Sequence, residues 1–307
     1  KGKGTILYAT DGTIASKINK DPWLKEYDCL IIDELHEMTN SVILLLYHLK
    51  ETLKLRPEFR IILMSATINP TIFSNYYKDF AFNLIDVGGE RLFPIELHFL
   101  PKSLDYNDAL AEGFKILIKI LEEDDPKTKH AHDIIFFVTS SNESFTLCKM
   151  LNAHIKKENN GKCKITCDGD VFCIELYANI SHEKQALALD KELYKQNTKF
   201  NRKIVVSTNV SESSLTVNGL RYVIDTGREL HSSFDPETRA RKLDREFAAV
   251  SSLTQRQGRA SRVEPGICYN LYTEDEFNNK IKKYSEPNFI VEDITNECLR
   301  LLISENV

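Results

Sequence analysis

The sequence predicts an α/β protein built from two parallel-sheet domains and a following helical region. Short apolar runs of strand length alternate with helix-length segments, as in parallel sheets that are covered by helices on both faces. The 307 residues suffice for about two domains. Hydrophobic residues make up 42% of the chain, so it can bury sizeable cores. Between the two groups of strands, Gly88, Gly89, Pro94 and Pro101 interrupt the pattern and indicate a boundary.

Seven apolar runs are expected to form strands, and most precede a segment with helical periodicity. They are residues 4–8, 29–32, 60–64, 134–138, 204–207, 222–225 and 266–271. Ligands of parallel sheets bind beyond the carboxyl ends of the strands. The polar residues that follow these runs are therefore the candidate site residues.

The predicted boundaries divide the chain into four parts. Residues 1–88 form a partial first domain, 89–101 a linker, 102–275 the second domain, and 276–307 the start of a helical C-terminal region. A helix over residues 107–123 opens the second domain, and a charged loop follows over residues 122–133.

Composition restricts the class of protein. No apolar run is long enough for a transmembrane helix, and no signal-peptide pattern is visible. We therefore expect an intracellular protein, nuclear or cytoplasmic, and a viral source stays open. The net charge of −5 mildly opposes a nucleic-acid partner, although a local groove can be basic on an acidic protein.

Seven scattered cysteines favour a reducing compartment over a disulfide framework. Cys163, Cys167 and Cys173 lie close together in the sequence. A zinc site there would need a fourth ligand, such as His154 or His182. The alternative is a strand or hairpin with buried thiols.

An acidic pair, Asp33 and Glu34, follows the apolar run 29–32, and His36 comes two residues later. One carboxylate can hold Mg²⁺, and its neighbour can orient or deprotonate an attacking water. The alternative is a solvated acidic loop. Hence Asp33 and Glu34 are candidate metal ligands and catalytic residues.

Three hydroxyl-bearing turns also follow predicted strands, at residues 10–12, 65–67 and 207–216. The turn at residues 207–216 can present hydroxyl and backbone N–H groups to phosphates, and the alternative is a polar loop with a capping box. Ser65 and Thr67 can hydrogen-bond across a cleft and couple two domains, and they can also cap a helix, for which Asn69 with Pro70 is a further start. Both interpretations can hold for residues 65–67, and the turn at residues 10–12 is a weak signal alone.

The basic segment 255–262 reads Gln-Arg-Gln-Gly-Arg-Ala-Ser-Arg. Arginines three residues apart can lie on one face of a short helix and reach one polyphosphate. An acidic pair after one strand and two arginines in a later segment are the two halves of a nucleotide-hydrolysis site.

Together and in this order, the segments resemble the motifs of DEAH-box helicases of superfamily 2, the RNA-helicase group with two RecA-like domains. Residues 33–36, Asp-Glu-Leu-His, resemble motif II with Leu in place of Ala. The other matching segments are residues 10–12 (the family's Thr-Asp-Gly motif), 65–67 (motif III), 134–140 (motif IV), 206–216 (motif V), 255–262 (motif VI), 265–272 (the strand after motif VI) and 296–303 (the start of the C-terminal region). The resemblance implies two RecA-like parallel-sheet domains, the first truncated at its N-terminus, with the start of a helical C-terminal region.

The resemblance also implies roles for individual residues. Asp33 would organise Mg²⁺, Glu34 would activate water, and His36 would complete the catalytic motif. Ser65 and Thr67 would couple the two domains, and Gln255, Arg259 and Arg262 would reach the γ-phosphate of ATP or another NTP. The residues implied to touch the sugar-phosphate backbone of RNA are Thr10, Asp11, Gly12, Ser140, Thr208 and Asn209.

The sequence departs from the family pattern in three ways. No Gly-x-x-x-x-Gly-Lys-Ser/Thr loop precedes Thr10, so we expect an internal fragment of a longer helicase that is inactive alone. Asn218, a candidate nucleotide-binding residue, stands where the family has Asp. Leu189 stands where an aromatic residue often stacks on the base. Because of these two changes, the choice between ATP and another NTP stays open.

Three functions therefore stay open at this point. The first is an ATP-dependent RNA helicase or translocase that couples NTP hydrolysis to movement on single-stranded RNA and to duplex unwinding. The others are a helicase-like module that binds nucleic acid or protein without turnover, and a DNA helicase of the same superfamily. The expected partners are single-stranded or partly duplex RNA and an activator protein, with no membrane.

Overall fold

The structure is a computed structural model. It describes residues 6–67, 69–88, 93–123, 132–159, 171–190, 193, 202–212, 217, 219–262 and 264–305. In chain order the elements are α1 (Asp11–Lys20), β1 (Cys29–Ile32), α2 (Asn40–Leu55), β2 (Arg60–Leu63), α3 (Pro70–Tyr76), β3 (Ile95–Phe99), α4 (Tyr106–Glu123), β4 (Asp133–Phe137), α5 (Ser141–Asn159), β5 (Val171–Leu176), α6 (His182–Leu189), β6 (Arg202–Ser207), β7 (Leu220–Asp225), β8 (Arg228–Asp235), β9 (Ala240–Phe247), α7 (Val250–Gln257), β10 (Gly266–Asn270), α8 (Asn288–Val291) and α9 (Thr295–Glu305).

The chain divides into two compact units. Unit 1 comprises residues 1–86, 232–243 and 286–307, and unit 2 comprises residues 87–231 and 244–285. Unit 1 thus includes the tip of the β8–β9 hairpin and the two C-terminal helices, α8 and α9. The predicted linker, residues 89–101, contains β3, which belongs to the sheet of unit 2.

Unit 1 is organised around a parallel pair of strands, β1 and β2, with Ile31 opposite Ile62. One face of this pair packs on a core that includes Ile32, Leu35 and Leu49. Ile31 and Ile62 point the other way and are 57% and 46% exposed. The described part of this small sheet therefore has one covered face and one bare apolar face.

The prediction of a strand at residues 4–8 is wrong for residues 6–8, which are the part that the structure describes. Ile6 and Tyr8 are 81% and 92% exposed and have no strand assignment, while residues 4 and 5 lie outside the described residues. A strand needs a neighbour for its backbone N–H and C=O groups. No described strand pairs with this segment, since β1 and β2 pair only with each other.

Unit 2 contains a six-stranded sheet in the order β3-β10-β7-β4-β6-β5, with all pairs parallel. The prediction of an α/β fold with a parallel sheet is confirmed. All residues of β4 and β6 are buried, which explains their continuous apolar stretches. Because the strands are parallel, the segments that follow β4, β6 and β7 lie at the same edge of the sheet.

Two further strands, β8 and β9, were not predicted from the sequence. They pair with each other and are joined by residues 236–239. Their sequences are rich in charged residues and all of their side chains are at least partly exposed. The apolar pattern that identified the other strands is therefore weak here.

The cysteine prediction needs correction. Cys148 on α5 and Cys173 on β5 form a disulfide bond, with 5.5 Å between their Cα atoms. The pair forms because α5 packs against β5, which brings two residues distant in sequence into contact. Cys163 and Cys167 lie outside the described residues. In the described part of the chain, no three His, Cys, Asp or Glu residues are grouped so that they could hold a metal ion.

The predicted helical C-terminal region matches α8 and α9. Of the predicted charged loop, residues 124–131 lie outside the described residues. Among the helices that the structure describes, none has the length and apolar character needed to cross a membrane.

Candidate nucleotide and nucleic-acid sites

The acidic pair lies directly after β1 in unit 1. Asp33 is exposed and Glu34 partly exposed, so both carboxylates are accessible. The backbone N–H of Glu34 donates to Oδ1 of Asp33 at 2.8 Å, and Glu34 has a left-handed backbone with φ 50°. Leu35 is buried in the core, and its N–H donates to the carbonyl of Met64 at 3.0 Å. The buried Leu35 thus anchors the turn that presents the two acids.

His36 connects the acidic turn with the segment after β2. Its Nδ1 lies 3.3 Å from Oγ of Ser65 and 3.4 Å from Oε2 of Glu34. Thr67 lies two residues beyond Ser65 in the same turn and is partly buried. The structure therefore brings together Glu34, His36 and Ser65 from two predicted motifs.

The turn at residues 10–12 has a clear structural role. Oγ1 of Thr10 accepts the N–H of Thr13 at 3.4 Å and caps α1. Asp11 accepts the N–H of Gly12 at 2.7 Å and the hydroxyl of Thr39 at 2.9 Å. Asp11 therefore ties the start of α1 to the start of α2, since Thr39 also caps α2.

The predicted helix start at Asn69 is confirmed, because its side chain accepts the N–H of Thr71 at 3.1 Å and Pro70 is the first residue of α3. Ser65 and Thr67 do not cap this helix. Both residues instead lie in the turn between β2 and α3.

Ser140 begins α5 through a capping box. Oγ of Ser140 accepts the N–H of Glu143 at 3.3 Å, and Glu143 accepts the N–H of Ser140 at 3.1 Å. The Ser140 side chain is therefore already engaged, and its backbone is fixed at the end of β4.

The carboxylate of Glu143 gathers further donors. It accepts the hydroxyls of Thr139 and Tyr106, both at 2.8 Å, and Nη2 of Arg245 at 2.7 Å. The Arg245 guanidinium also lies 3.8 Å from the Tyr106 ring centre. Burial would raise the pKa of Glu143, but the hydrogen bonds from Thr139 and Tyr106 and the charge of Arg245 outweigh it and hold the pKa below its ordinary value.

The turn after β6 carries Thr208 and Asn209. The N–H of Thr208 donates to the carbonyl of Leu176 at 3.1 Å, and the hydroxyls of Ser207 and Ser211 share a hydrogen bond of 2.7 Å. Asn209 is exposed, and Thr208 is partly exposed. These hydrogen bonds hold the turn at the end of β5, while the side chains of Thr208 and Asn209 stay accessible. Asn218 lies outside the described residues.

The basic segment begins on α7 and continues in a 3₁₀ turn over Gly258–Ser261. Gln255 is partly buried, Arg259 is buried, and Arg262 is exposed. Desolvation by neighbouring groups lowers the pKa of Arg262 from its ordinary value, although by surface area the residue is exposed. Gly266 lets β10 approach this turn, because a Cβ there would collide with the carbonyl of Ala260.

A residue that the sequence reasoning did not single out, Arg256, is the most buried arginine of the segment. Its guanidinium pairs with Oε2 of Glu212 at 2.9 Å, Oδ1 of Asp225 at 3.2 Å and Oε2 of Glu229 at 3.4 Å. Burial would lower the pKa of Arg256, but the charges of Asp225, Glu212 and Glu229 outweigh it and raise the pKa. The only available signal was its place in the basic segment, three residues before Arg259.

Burial has the opposite effect on two of the acids. It raises the pKa of Asp225 and of Glu229 above the ordinary values, although the charge of Arg256 acts against the shift. Among the described residues, the carboxylates of Glu212, Asp225 and Glu229 all pair with the guanidinium of Arg256.

Comparison with known proteins identifies several relatives. A family model described as DEAD/DEAH box helicase matches residues 1–74, and one described as helicase conserved C-terminal domain matches residues 112–264. A protein of Acanthamoeba polyphaga mimivirus, named as an ATP-dependent RNA helicase, is 33% identical over 97% of this chain and 40% of its own length. The ATP-dependent RNA helicase HrpA of Escherichia coli is 32% identical over 96% of this chain and 21% of its own.

Solved structures agree with these relatives. The crystal structure of the Escherichia coli DEAH/RHA helicase HrpB matches with a TM-score of 0.72 and 25% identity, over 95% of this chain and 34% of that protein. The chain thus spans two fifths or less of the length of these relatives.

Proposed function

This chain belongs to the DEAH-box helicases of superfamily 2, and we propose that it works as an ATP-dependent RNA helicase. In this proposal NTP hydrolysis drives movement on single-stranded RNA and the unwinding of duplexes. The observation that carries it is the turn after β1, where an accessible acidic pair is linked through His36 to Ser65. The names of the relatives, which are ATP-dependent RNA helicases, support RNA as the substrate.

Asp33 and Glu34 suit a magnesium nucleotide. Mg²⁺ is commonly held by one or two carboxylates together with substrate phosphates and water. An exposed Asp33 beside a partly exposed Glu34 offers such ligands. When bound, Mg²⁺ would neutralise charge on the phosphates. We assign Asp33 to holding the ion and Glu34 to orienting and deprotonating the attacking water, with His36 fixing the Glu34 carboxylate.

We assign Gln255, Arg259 and Arg262 to the nucleotide phosphates, with Asn218 as a further nucleotide-binding residue. Guanidinium groups stabilise the charge that develops during phosphoryl transfer. Arg256 is excluded from this set, because its guanidinium is buried and paired with three acids.

Two accessible turns are proposed to hold the RNA backbone. Thr10, Asp11 and Gly12 form one, and Thr208 with Asn209 forms the other, while Ser140 contributes through its fixed backbone. Hydroxyl and backbone groups bind sugar and phosphate without reading sequence. An activator protein stays a further proposed partner.

A second candidate is a helicase-like module that binds RNA without turnover. One specific observation favours it, since Arg259 is buried and its guanidinium already donates to the main-chain carbonyl of Glu212. DNA as the substrate is the third candidate, and it differs only in the nucleic acid that is bound.

The test measures ATP hydrolysis and RNA binding by this chain, with single-stranded RNA, with single-stranded DNA of equal length, and without either. RNA-stimulated hydrolysis that Glu34→Gln abolishes supports the helicase. RNA binding without hydrolysis supports the binding module, and preference for DNA supports the third candidate. A chain that neither hydrolyses ATP nor binds either nucleic acid contradicts all three. Glu26→Gln, which alters an exposed acid of the same unit, serves as the control.

A further inference from the structure

Glu212 is contacted by two arginines of one segment, through two different groups. Nε of Arg256 donates to its carboxylate oxygen Oε2 at 2.9 Å. Nη2 of Arg259 donates to its main-chain carbonyl. Glu212 therefore links Arg256 to Arg259, the arginine that we assign to the nucleotide phosphates.

Arg256 is a firm anchor for the Glu212 side chain. It is 1% exposed, its Nη1 also donates to Asp225 at 3.2 Å, and it lies 5.3 Å from the Phe137 ring centre. A guanidinium with several acidic partners in a buried site cannot turn without leaving charges unpaired. The position of the Glu212 carboxylate is therefore set by the interior of unit 2.

The backbone of Glu212 lies in the short turn that follows β6. Its N–H donates to the carbonyl of Asn209 at 2.9 Å, which closes one short turn after β6. The same carbonyl that Arg259 contacts belongs to a turn residue rather than to a strand or a long helix. Holding the side chain is thus an effective way to hold the carbonyl.

We propose that Glu212 is a positioning residue for Arg259, and that Arg256 acts through it. The buried pair fixes the Glu212 carboxylate, the carboxylate fixes the turn, and the turn carbonyl orients the Arg259 guanidinium. The inference rests on the proposed function only for its consequence, namely that an oriented Arg259 serves phosphate chemistry. The orientation itself is a property of unit 2.

The experiment compares Glu212→Ala with Glu229→Ala. Each removes one carboxylate from Arg256, but only the first removes the link to the turn that holds Arg259. The Glu212→Ala variant keeps its main-chain carbonyl, so the acceptor for Arg259 is still present. Rotation of the Arg259 guanidinium is measured by nitrogen-15 NMR of arginine side chains, with the signal identified through Arg259→Lys.

We expect the guanidinium of Arg259 to rotate about tenfold faster in Glu212→Ala, because the turn is no longer held through the carboxylate and the hydrogen bond from Arg259 to the Glu212 carbonyl is weakened. In Glu229→Ala the rate stays within about twofold, as expected for a residue without that link. An unchanged rate in Glu212→Ala overturns the proposal. Equal acceleration in both variants also overturns it, because it would indicate a general loss of packing, which amide exchange of β4 reports independently.

Steady-state kinetics add a second readout. Glu212→Ala should lower kcat for ATP about tenfold and leave KM within about twofold, as for an interaction that acts in the transition state. A selective rise in KM would contradict this role. If the unmodified chain hydrolyses no ATP, the proposed function fails in this arm, whereas the NMR comparison still decides the positioning of Arg259.

Discussion

His36 and Ser65 are joined by a contact of 3.3 Å between Nδ1 and Oγ, across the turns that follow β1 and β2. The same ring nitrogen lies 3.4 Å from the Glu34 carboxylate. A change at Ser65 can therefore reach the acidic pair through one imidazole ring. This contact connects the second and third motifs within unit 1.

Ser65→Ala should reduce RNA unwinding about tenfold relative to ATP hydrolysis, because the hydroxyl that links the two turns is lost. The ratio of duplex unwound to ATP consumed measures the effect. Ser74→Ala is the matched control, since its hydroxyl donates to the carbonyl of Thr71 within α3. Equal ratios in both variants would show that the His36–Ser65 contact carries no coupling.

Glu143→Ala should destabilise unit 2 by about 2–3 kcal/mol, because Arg245, Thr139 and Tyr106 lose a shared partially buried acceptor. Amide hydrogen exchange of β4 measures the change. Glu112→Ala is the control, since its pair with Lys115 is exposed, screened by solvent and expected to contribute little to stability. Similar losses in both variants would contradict the role of the Glu143 cluster.

The same carboxylate predicts a pH dependence. The pKa of Glu143 is lower in the folded protein than its ordinary value of 4.5. The unfolded chain therefore binds more protons in the interval between the two pKa values, so the stabilisation is complete above pH 4.5 and is lost as the pH falls through the folded pKa. Acid titration of unit 2 stability should be shallower in Glu143→Gln than in the unmodified chain. Parallel titration curves would exclude the contribution.

Reduction of the Cys148–Cys173 bond should lower the stability of unit 2 by about 3 kcal/mol, since the bond closes a loop with a sequence separation of 25. Urea unfolding with and without a thiol reductant measures this difference. Cys148→Ser should abolish the effect of reductant, whereas Cys298→Ser, at an exposed unbonded cysteine, should preserve it. Unfolding that is insensitive to reductant in the unmodified chain would refute the prediction.

The bare apolar face of β1 and β2 predicts weak protection in unit 1. Backbone amides of these strands should exchange at least about tenfold faster than those of β4 and β6, which have strands on both sides. Hydrogen exchange followed by mass spectrometry resolves the two groups. Uniformly strong protection of both sheets would contradict it.

The residues directly after apolar strands could be predicted from the sequence, as with Asp33 after β1 and Thr208 after β6. Their signal is local, because a continuous apolar run is followed at once by polar side chains. The Arg256 cluster could not be found this way, since Glu212, Asp225 and Glu229 lie on three separate segments. The Cys148–Cys173 bond has the same difficulty, because only the packing of α5 on β5 brings the residues together.

The strand β3 and the β8–β9 hairpin were not predicted from the sequence, for a different reason. In β3, Glu96 and His98 alternate with apolar residues, which suits an edge strand but also a linker. The hairpin carries charged residues such as Arg241 and Arg245, so its apolar signal is weak. Edge strands and exposed hairpins are held by backbone pairing, and side-chain patterns record this poorly.

The left-handed backbone of Glu34 has a consequence for protein engineering. Residues with a Cβ are disfavoured in that region, and Gly would relieve the strain. A library ranked by thermal resistance alone would therefore favour Glu34→Gly and discard the carboxylate assigned to activating water. At this position, the most thermally stable variant would lack the carboxylate that the proposed hydrolysis requires.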